Sequence, residues 1–360
     1  MPERIYNFSP GPGTLPYDVL TQAAKDIVNF NDRGIGLIEM SHRSKDFIAV
    51  TDEAEALLRE LLAIPANYKV LFMQGGASSQ FAFVPMNLLQ PGQTATYLNT
   101  GVWAKKAIKE AKLFGNINVA YSSEDSVFNH VPKETDYTVD PASEYLYLVS
   151  NNTIYGTQFH EFPKTDKMLV CDMSSDILSR PLDISRFGLI FAGAQKNMGP
   201  AGVTVVIVRE DLLDRAPATV PTMFRYKTHA DNGSMFNTPP CFAIYCVGLV
   251  LKWLKNLGGV KAIEKINQEK AAILYNAIDA SDFYRGHAQV DSRSPMNVPF
   301  NLPTPELEAQ FIKEATAKGL DGLKGHRSVG GCRASIYNAF PKQGVVDLVA
   351  FMQEFEKKNG

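Results

Sequence analysis

The chain has 360 residues, 45% of them hydrophobic and 21% charged, a balance that excludes a disordered, collagen-like or coiled-coil chain. Its length exceeds what one hydrophobic core usually organises, so two unequal domains are expected. With 36 basic against 38 acidic side chains the formal charge is −2, which gives no global field for a nucleic acid or an anionic membrane, and any anion site must be local.

Residues 1–15 read as an N-terminal loop segment: Met1-Pro-Glu-Arg4 leads into a polar, proline-rich stretch without an apolar run of signal length, so export is not expected. Phe8-Ser-Pro-Gly-Pro-Gly13 breaks both helix and strand ladders. Helical apolar spacing then covers Asp18–Phe30 and Ala49–Leu62, and short apolar strands are expected at Lys69–Met73, Thr94–Leu98, Asn118–Tyr121, Tyr145–Val149, Met168–Cys171 and Leu189–Ala192. Strands separated by helices in this way make a mostly parallel sheet covered on both faces, an α/β fold. Valine-rich Val203–Val208 follows its predecessor through the tight Gly199–Gly202 turn and should pair with it antiparallel, bringing the sheet to seven strands. The longest apolar run, Cys241–Leu254, is too short for a bilayer and reads as a buried helix. Gly258-Gly259 is a hinge, placing a large domain at 1–258 and a smaller α/β domain at 259–360. In the latter, elements are expected at Val260–Ala280, Val298–Asn301, Pro305–Lys318, Arg333–Tyr337 and Val345–Lys357. The four cysteines, Cys171, Cys241, Cys246 and Cys332, form no CxxC pair and are too scattered for a disulfide scaffold, which fits a reducing cytoplasm and points to no metal site.

Two features carry chemistry. In Phe72-Met-Gln-Gly-Gly-Ala-Ser-Ser-Gln-Phe81 a strand runs through glycines into small residues that open a helix. Free amides at such a start bind phosphate; the plainer alternative is an ordinary turn capped by Ser78 or Ser79. The segment matches neither GxxxxGK[ST] nor GxGxxG. The second feature is Asp172, ending one strand, with Lys196, just past another, so both stand at the carboxyl edge of a parallel sheet where ligands bind. A carboxylate can keep a pyridine nitrogen protonated, and a lysine can condense with a cofactor aldehyde. Taken singly, each is more ordinarily a loop cap or a solvated side chain. Together with the phosphate cup they account for three parts of one cofactor in chain order. Trp103 follows a strand and can lie over such a ring, or be a plain core tryptophan. Thr153 can reach the ring hydroxyl, or make a local turn.

Five segments complete the pattern: Phe8-Ser-Pro-Gly-Pro12, Ser41-His-Arg-Ser-Lys-Asp-Phe47, Ala194-Gln-Lys-Asn-Met-Gly-Pro-Ala-Gly202, Phe236-Asn-Thr-Pro-Pro240 and Gly325-His-Arg-Ser-Val-Gly-Gly-Cys-Arg-Ala-Ser-Ile-Tyr-Asn338. In order along essentially the whole chain, they resemble the class-V aminotransferases, pyridoxal-phosphate enzymes of fold type I. The resemblance implies that Lys196 binds pyridoxal 5'-phosphate and Asp172 faces its ring nitrogen, with Trp103 stacking and Thr153 and Gln195 as further contacts. It implies a phosphate cup of Gly76, Ala77 and Ser78, and a homodimer in which Asn237 and Thr238 reach the neighbouring subunit's cofactor phosphate. Some members carry an arginine where this chain has Ser78, so here amides, dipole and hydroxyls would hold the phosphate.

The resemblance also assigns Arg333 to a substrate carboxylate and the pairs His42-Arg43 and His326-Arg327 to a substrate phosphate, with His42 and Arg43 acting across the dimer. A forked guanidinium suits the first task and several cations the second. The expected reaction is reversible amino transfer from L-glutamate to 3-phosphohydroxypyruvate, giving O-phospho-L-serine and 2-oxoglutarate, with a phosphorylated hydroxy-threonine of vitamin B6 synthesis as a second candidate substrate. Alternatives are another fold-type I aminotransferase acting on a small 2-oxo acid, a desulfurase, for which Cys332 is read as structural, and a nicotinamide dehydrogenase, against which the missing GxGxxG counts.

Overall fold

The structure, a computed structural model, describes residues 4–360. The first three residues of the N-terminal segment, and the expectation about export that leans on them, lie outside the described residues.

Seven strands, β1 (Tyr68–Met73), β2 (Thr94–Asn99), β3 (Asn116–Ser122), β4 (Ser143–Val149), β5 (Met168–Asp172), β6 (Phe187–Gly193) and β7 (Thr204–Arg209), form one sheet in the order β1-β7-β6-β5-β4-β2-β3. β7 runs antiparallel to β6, as the tight turn requires, and also to β1. The remaining neighbours are parallel, so all strands but β7 end at one edge. Strand adjacency in the chain did not show that β7 wedges between β1 and β6; only the tight turn to β6 is a local signal.

Both faces are buried because alternate side chains point to opposite sides. Val70 and Phe72 of β1, with Val205 and Ile207 of β7, enter one core, and Leu71, Met73, Val206 and Val208 enter the other. The first face is covered by α2 (Lys45–Leu62) and α6 (Cys241–Asn256), the second by α3 (Gly76–Leu88) and α4 (Val102–Ala111). α1 (Tyr17–Val28) stops short of Phe30 because Asn29 turns extended at φ −151°. α2 begins earlier than the apolar spacing shows: the Ser44 hydroxyl accepts from the Phe47 amide at 3.2 Å, capping the helix. Short α5 (Tyr226–Asp231) closes a corner through the Tyr226 hydroxyl, which donates to Gln80 Oε1 at 2.7 Å.

At Gly258 and Gly259, with φ of +106° and +75°, the chain turns through 82° into α7 (Gly259–Asp279). Among the described residues no single helix is long and apolar enough to cross a membrane. α7, α8 (Pro305–Ala317) and α9 (Lys342–Asn359) pack with an antiparallel sheet of Arg285–Gly286, Asn297–Asn301 and Cys332–Ser335. Their core holds Phe300, Phe311, Phe351 and Phe355, and also Phe8 from the opposite end of the chain. Tyr6–Asn7 pairs parallel with Leu320–Asp321, so the N-terminal loop is tied to the C-terminal unit by backbone and by side chain.

Candidate active site

Because β1, β2, β4, β5 and β6 end at the same edge, the loops that follow them converge there. Gly76, Ala77, Ser78, Trp103, Thr153, Asp172, Gln195, Lys196, His326 and Arg333, all singled out from the sequence, line one cavity of about 450 Å³. Lys196 and Asp172 therefore face a common space.

Asp172 is 4% exposed. Ser174 donates to its Oδ1 twice, through the backbone at 2.9 Å and the hydroxyl at 2.6 Å, which leaves Oδ2 without a donor among the described residues. Burial pushes the carboxyl above its usual range, against the lowering effect of Lys196 and the Ser174 bonds. Lys196 Nζ donates to Thr153 Oγ1 at 2.7 Å and lies 5.5 Å from the centre of the Trp103 ring. Burial brings its pKa down to about 8; Asp172 opposes that shift and Arg333 adds to it. An amine in this setting is a free base far more often than a surface lysine.

Arg333, on Cys332–Ser335, is 6% exposed and has no acidic partner. Among the described residues its guanidinium makes one hydrogen bond, from Nη1 to the Thr153 carbonyl at 3.5 Å, and its Nε is buried without an acceptor. Burial lowers its pKa. A buried, unpaired guanidinium beside a cavity is a receptor for an anion, since leaving it uncompensated is costly. His326 lines the same cavity and is held below the usual imidazole range by burial first, then by Arg333, Arg327 and Lys106.

The glycine turn behaves as its sequence reads. Gly75 has φ +94°, and a Cβ there would fall 2.2 Å from Ser79 Oγ, so only glycine lets the backbone enter α3 at this angle. The first turn of α3 carries no acidic side chain, and its residues Gly76, Ala77 and Ser78 line the cavity, an arrangement suited to an anionic group.

Five predicted residues do not line this cavity. Asn237 lines a neighbouring one of about 340 Å³ that meets the first at Gly75. The Thr238 carbonyl accepts from Gln74 Nε2 at 2.9 Å. His42 and Arg43 lie on the loop before α2, Arg43 exposed and His42 with a buried Nε2 that has no partner. Arg327 is exposed beside His326. Conversely, Ser174 lines the cavity without having been singled out, and Pro10 and Gly11 line it from a segment quoted only for the resemblance, with no site role given to them. Asp172-Met-Ser174 was a legible signal, because a serine two residues after an aspartate commonly turns back to bond it. The N-terminal loop gave no local sign of this role: its Gly13 amide donates to the carbonyl of Gln195, about half the chain away.

The chain matches the family model described as Aminotransferase class-V over residues 5–348. It is 70% identical over 359 residues to the phosphoserine aminotransferase of Desulfotalea psychrophila, spanning 100% of this chain and 99% of that protein. Among solved structures, phosphoserine aminotransferase from Bacillus circulans subsp. alkalophilus superposes with a TM-score of 0.97 at 52% identity, over 99% of both chains. A PLP-bound phosphoserine aminotransferase from Trichomonas vaginalis superposes with a TM-score of 0.93 at 39% identity, over 97% of this chain and 100% of that one.

Proposed function

The chain belongs to the class-V aminotransferases, within the phosphoserine aminotransferase family, and on that premise we propose that it carries out reversible amino transfer from L-glutamate to 3-phosphohydroxypyruvate, giving O-phospho-L-serine and 2-oxoglutarate. The observation that carries this reading is a lysine amine and a buried carboxylate facing one cavity, with an acid-free helix start at its wall and an unpaired arginine beside it.

The donor set fits pyridoxal 5'-phosphate. Asp172 Oδ2, which accepts from no donor among the described residues, would accept from a protonated ring nitrogen, and ionising Asp172 against its burial calls for such a cation. The amides of Ala77 and Ser78 would hold the phosphate and Trp103 would cover the ring, with Thr153 and Gln195 alongside. Bound there, the cofactor supplies an aldehyde that carries the amino group between substrates and a ring that withdraws electrons from the substrate Cα.

The chain's own residues do the rest. Nζ of Lys196 takes the proton from the substrate Cα, and a pKa brought down to about 8 keeps part of it unprotonated near neutrality. Thr153 Oγ1, bonded to Nζ, steadies the amine. Arg333 receives the α-carboxylate through its forked guanidinium. His326 and Arg327, with His42 and Arg43 of the partner subunit, receive the phosphate. In support of a shared site, His42 and Arg43 are absent from the wall of their own chain's cavity and His42 Nε2 has no partner. Asn237 and Thr238 of the partner subunit would likewise reach the cup from outside. The enzyme is thus read as a cytoplasmic homodimer with a large domain at 1–258 and a small one at 259–360. The test is glutamate-dependent amination by the purified protein of 3-phosphohydroxypyruvate beside pyruvate and glyoxylate. Strong preference for the phosphorylated acid, lost in Lys196→Ala, is expected; equal use of all three would overturn the substrate.

A further inference from the structure

Lys106 stands one turn beyond Trp103 on α4, and a spacing of three residues puts both on one side of the helix. Its Nζ lies 4.7 Å from the centre of the Trp103 ring; Trp103 and His326 line the active-site cavity, and Lys106 itself lines a separate hollow on α4 with Val102 and Lys105. The adjacent lysine is engaged elsewhere, Lys105 Nζ meeting Glu124 Oε1 at 2.5 Å. No carboxylate pairs with Lys106 among the described residues; its contact is the indole face. Lys106, His326, Arg327 and Arg333 are close enough that the other three all disfavour the charged form of the imidazole. Four basic groups gathered without an acid repel one another until an anion arrives, and a dianion relieves more of that repulsion than a monoanion.

We propose that Lys106 is a specificity-determining residue that joins His326 and Arg327 in receiving the doubly charged phosphate of the substrate beside the Trp103 side of the cavity. The proposal rests on the reading of the substrate given above and extends it to a residue outside the segments that carry the family resemblance. Fixing the ammonium over an aromatic face orders a flexible side chain before the substrate binds, which lowers the entropy cost of the contact.

The experiment compares wild-type holoenzyme with Lys106→Gln, Lys106→Arg and, as a charge control, Lys109→Gln one turn further along α4. Steady-state kinetics with 3-phosphohydroxypyruvate are read beside the affinity for O-phospho-L-serine, measured by calorimetry at several salt concentrations. Loss of one positive charge near a dianion in a solvated site is worth roughly tenfold in binding. Lys106→Gln should therefore raise KM and Kd by about tenfold, change kcat by less than about twofold, and flatten the dependence of Kd on salt. Lys106→Arg should restore most of the affinity, and Lys109→Gln should match wild type. The His326 ring, followed by NMR, should titrate at higher pH in Lys106→Gln, because a cation that opposed its protonation is gone. An unchanged KM and Kd in Lys106→Gln, or an equal rise in Lys109→Gln, overturns the proposal. If wild type itself does not prefer the phosphorylated acid to pyruvate, the substrate reading has failed and the proposal falls with it; a wild type that discriminates beside an indifferent Lys106→Gln isolates the failure to Lys106.

Discussion

The amine of Lys196 offers a direct measurement of the site's electrostatics. With a pKa of about 8, roughly one cofactor-free molecule in ten carries the neutral amine at pH 7; an ordinary lysine near 10.5 has only about three in ten thousand. The structure thus assigns Lys196 a roughly 300-fold excess of free base at neutrality. Cofactor-stripped protein would be exposed to trinitrobenzenesulfonate across pH 6 to 10, and labelling at position 196 quantified by peptide mass spectrometry against a free lysine peptide. Labelling should rise with pH through a midpoint near 8. Two substitutions should move that midpoint in opposite directions. Asp172→Asn removes the anion that favours the ammonium and should lower it, and Arg333→Met removes a cation that disfavours the ammonium and should raise it. A midpoint near 10.5, or shifts of the same sign in both variants, would refute the account, since generic burial cannot be relieved both ways.

Ser174→Ala removes a hydroxyl that donates to Asp172 and accepts from the Gly193 amide at 3.0 Å. Hydrogen bonds to charged groups contribute about 1.5–3 kcal/mol, so cofactor affinity, read by fluorescence titration of the stripped protein, should fall by tenfold or more, with Ser174→Thr recovering most of it. Lys270 is fully buried, donates to the carbonyls of Ile336, Tyr337 and Phe340, and is brought by burial to a pKa of about 7. Its folded-state pKa lies below the unfolded value, so between pH 7 and about 10 the unfolded chain binds the extra proton and stability rises with pH, by at most about 1.4 kcal/mol per unit. Urea denaturation of wild type and Lys270→Met should diverge in that sense as pH increases; a constant difference would count against it. A Cβ on Gly13 would sit 2.8 Å from both the Lys196 carbonyl and the Tyr337 ring. Gly13→Ala should therefore cost about 1–3 kcal/mol of stability and slow turnover, and a variant with wild-type melting and rate would show that the loop yields freely.

What the sequence made legible is what local pattern encodes. Alternating strands and helices imply a parallel sheet, a parallel sheet has one carboxyl edge, and Asp172, Lys196, Thr153 and Trp103 each follow a strand; their convergence needed no further information. The helix at Val102–Ala111 was not identified, because its ten residues carry three lysines and a glutamate and lack a long apolar stripe. Boundaries such as the start of α2 slipped because a single capping hydroxyl, not periodicity, sets them. The wedge of β7 against β1, the Ser174 brace and the wall made by Pro10 and Gly11 depend on contacts distant along the chain. His42 and Arg43 stand away from the cavity wall, on the loop before α2, and no local pattern in that loop says what they face.

Those long-range contacts determine how the two parts of the molecule hold the site. Phe8 is packed in the C-terminal core, yet Gly13, a few residues on, donates to the Gln195 carbonyl at 2.7 Å, beside Lys196. The Tyr337 hydroxyl donates to the Pro10 carbonyl at 2.5 Å, and the Asn338 amide donates to Asn197 Oδ1 at 2.9 Å. Lys270, on α7, clamps the carbonyls of the same 336–340 turn. Arg333 lies just upstream of that turn, on the strand Cys332–Ser335, while Lys196 follows β6 of the seven-stranded sheet. The N-terminal loop and the 336–340 turn thus each tie the strand that carries Arg333 to the segment that carries Lys196. A perturbation that leaves every cavity-lining side chain in place can still misalign carboxylate binding with proton transfer, provided it loosens either of those two ties.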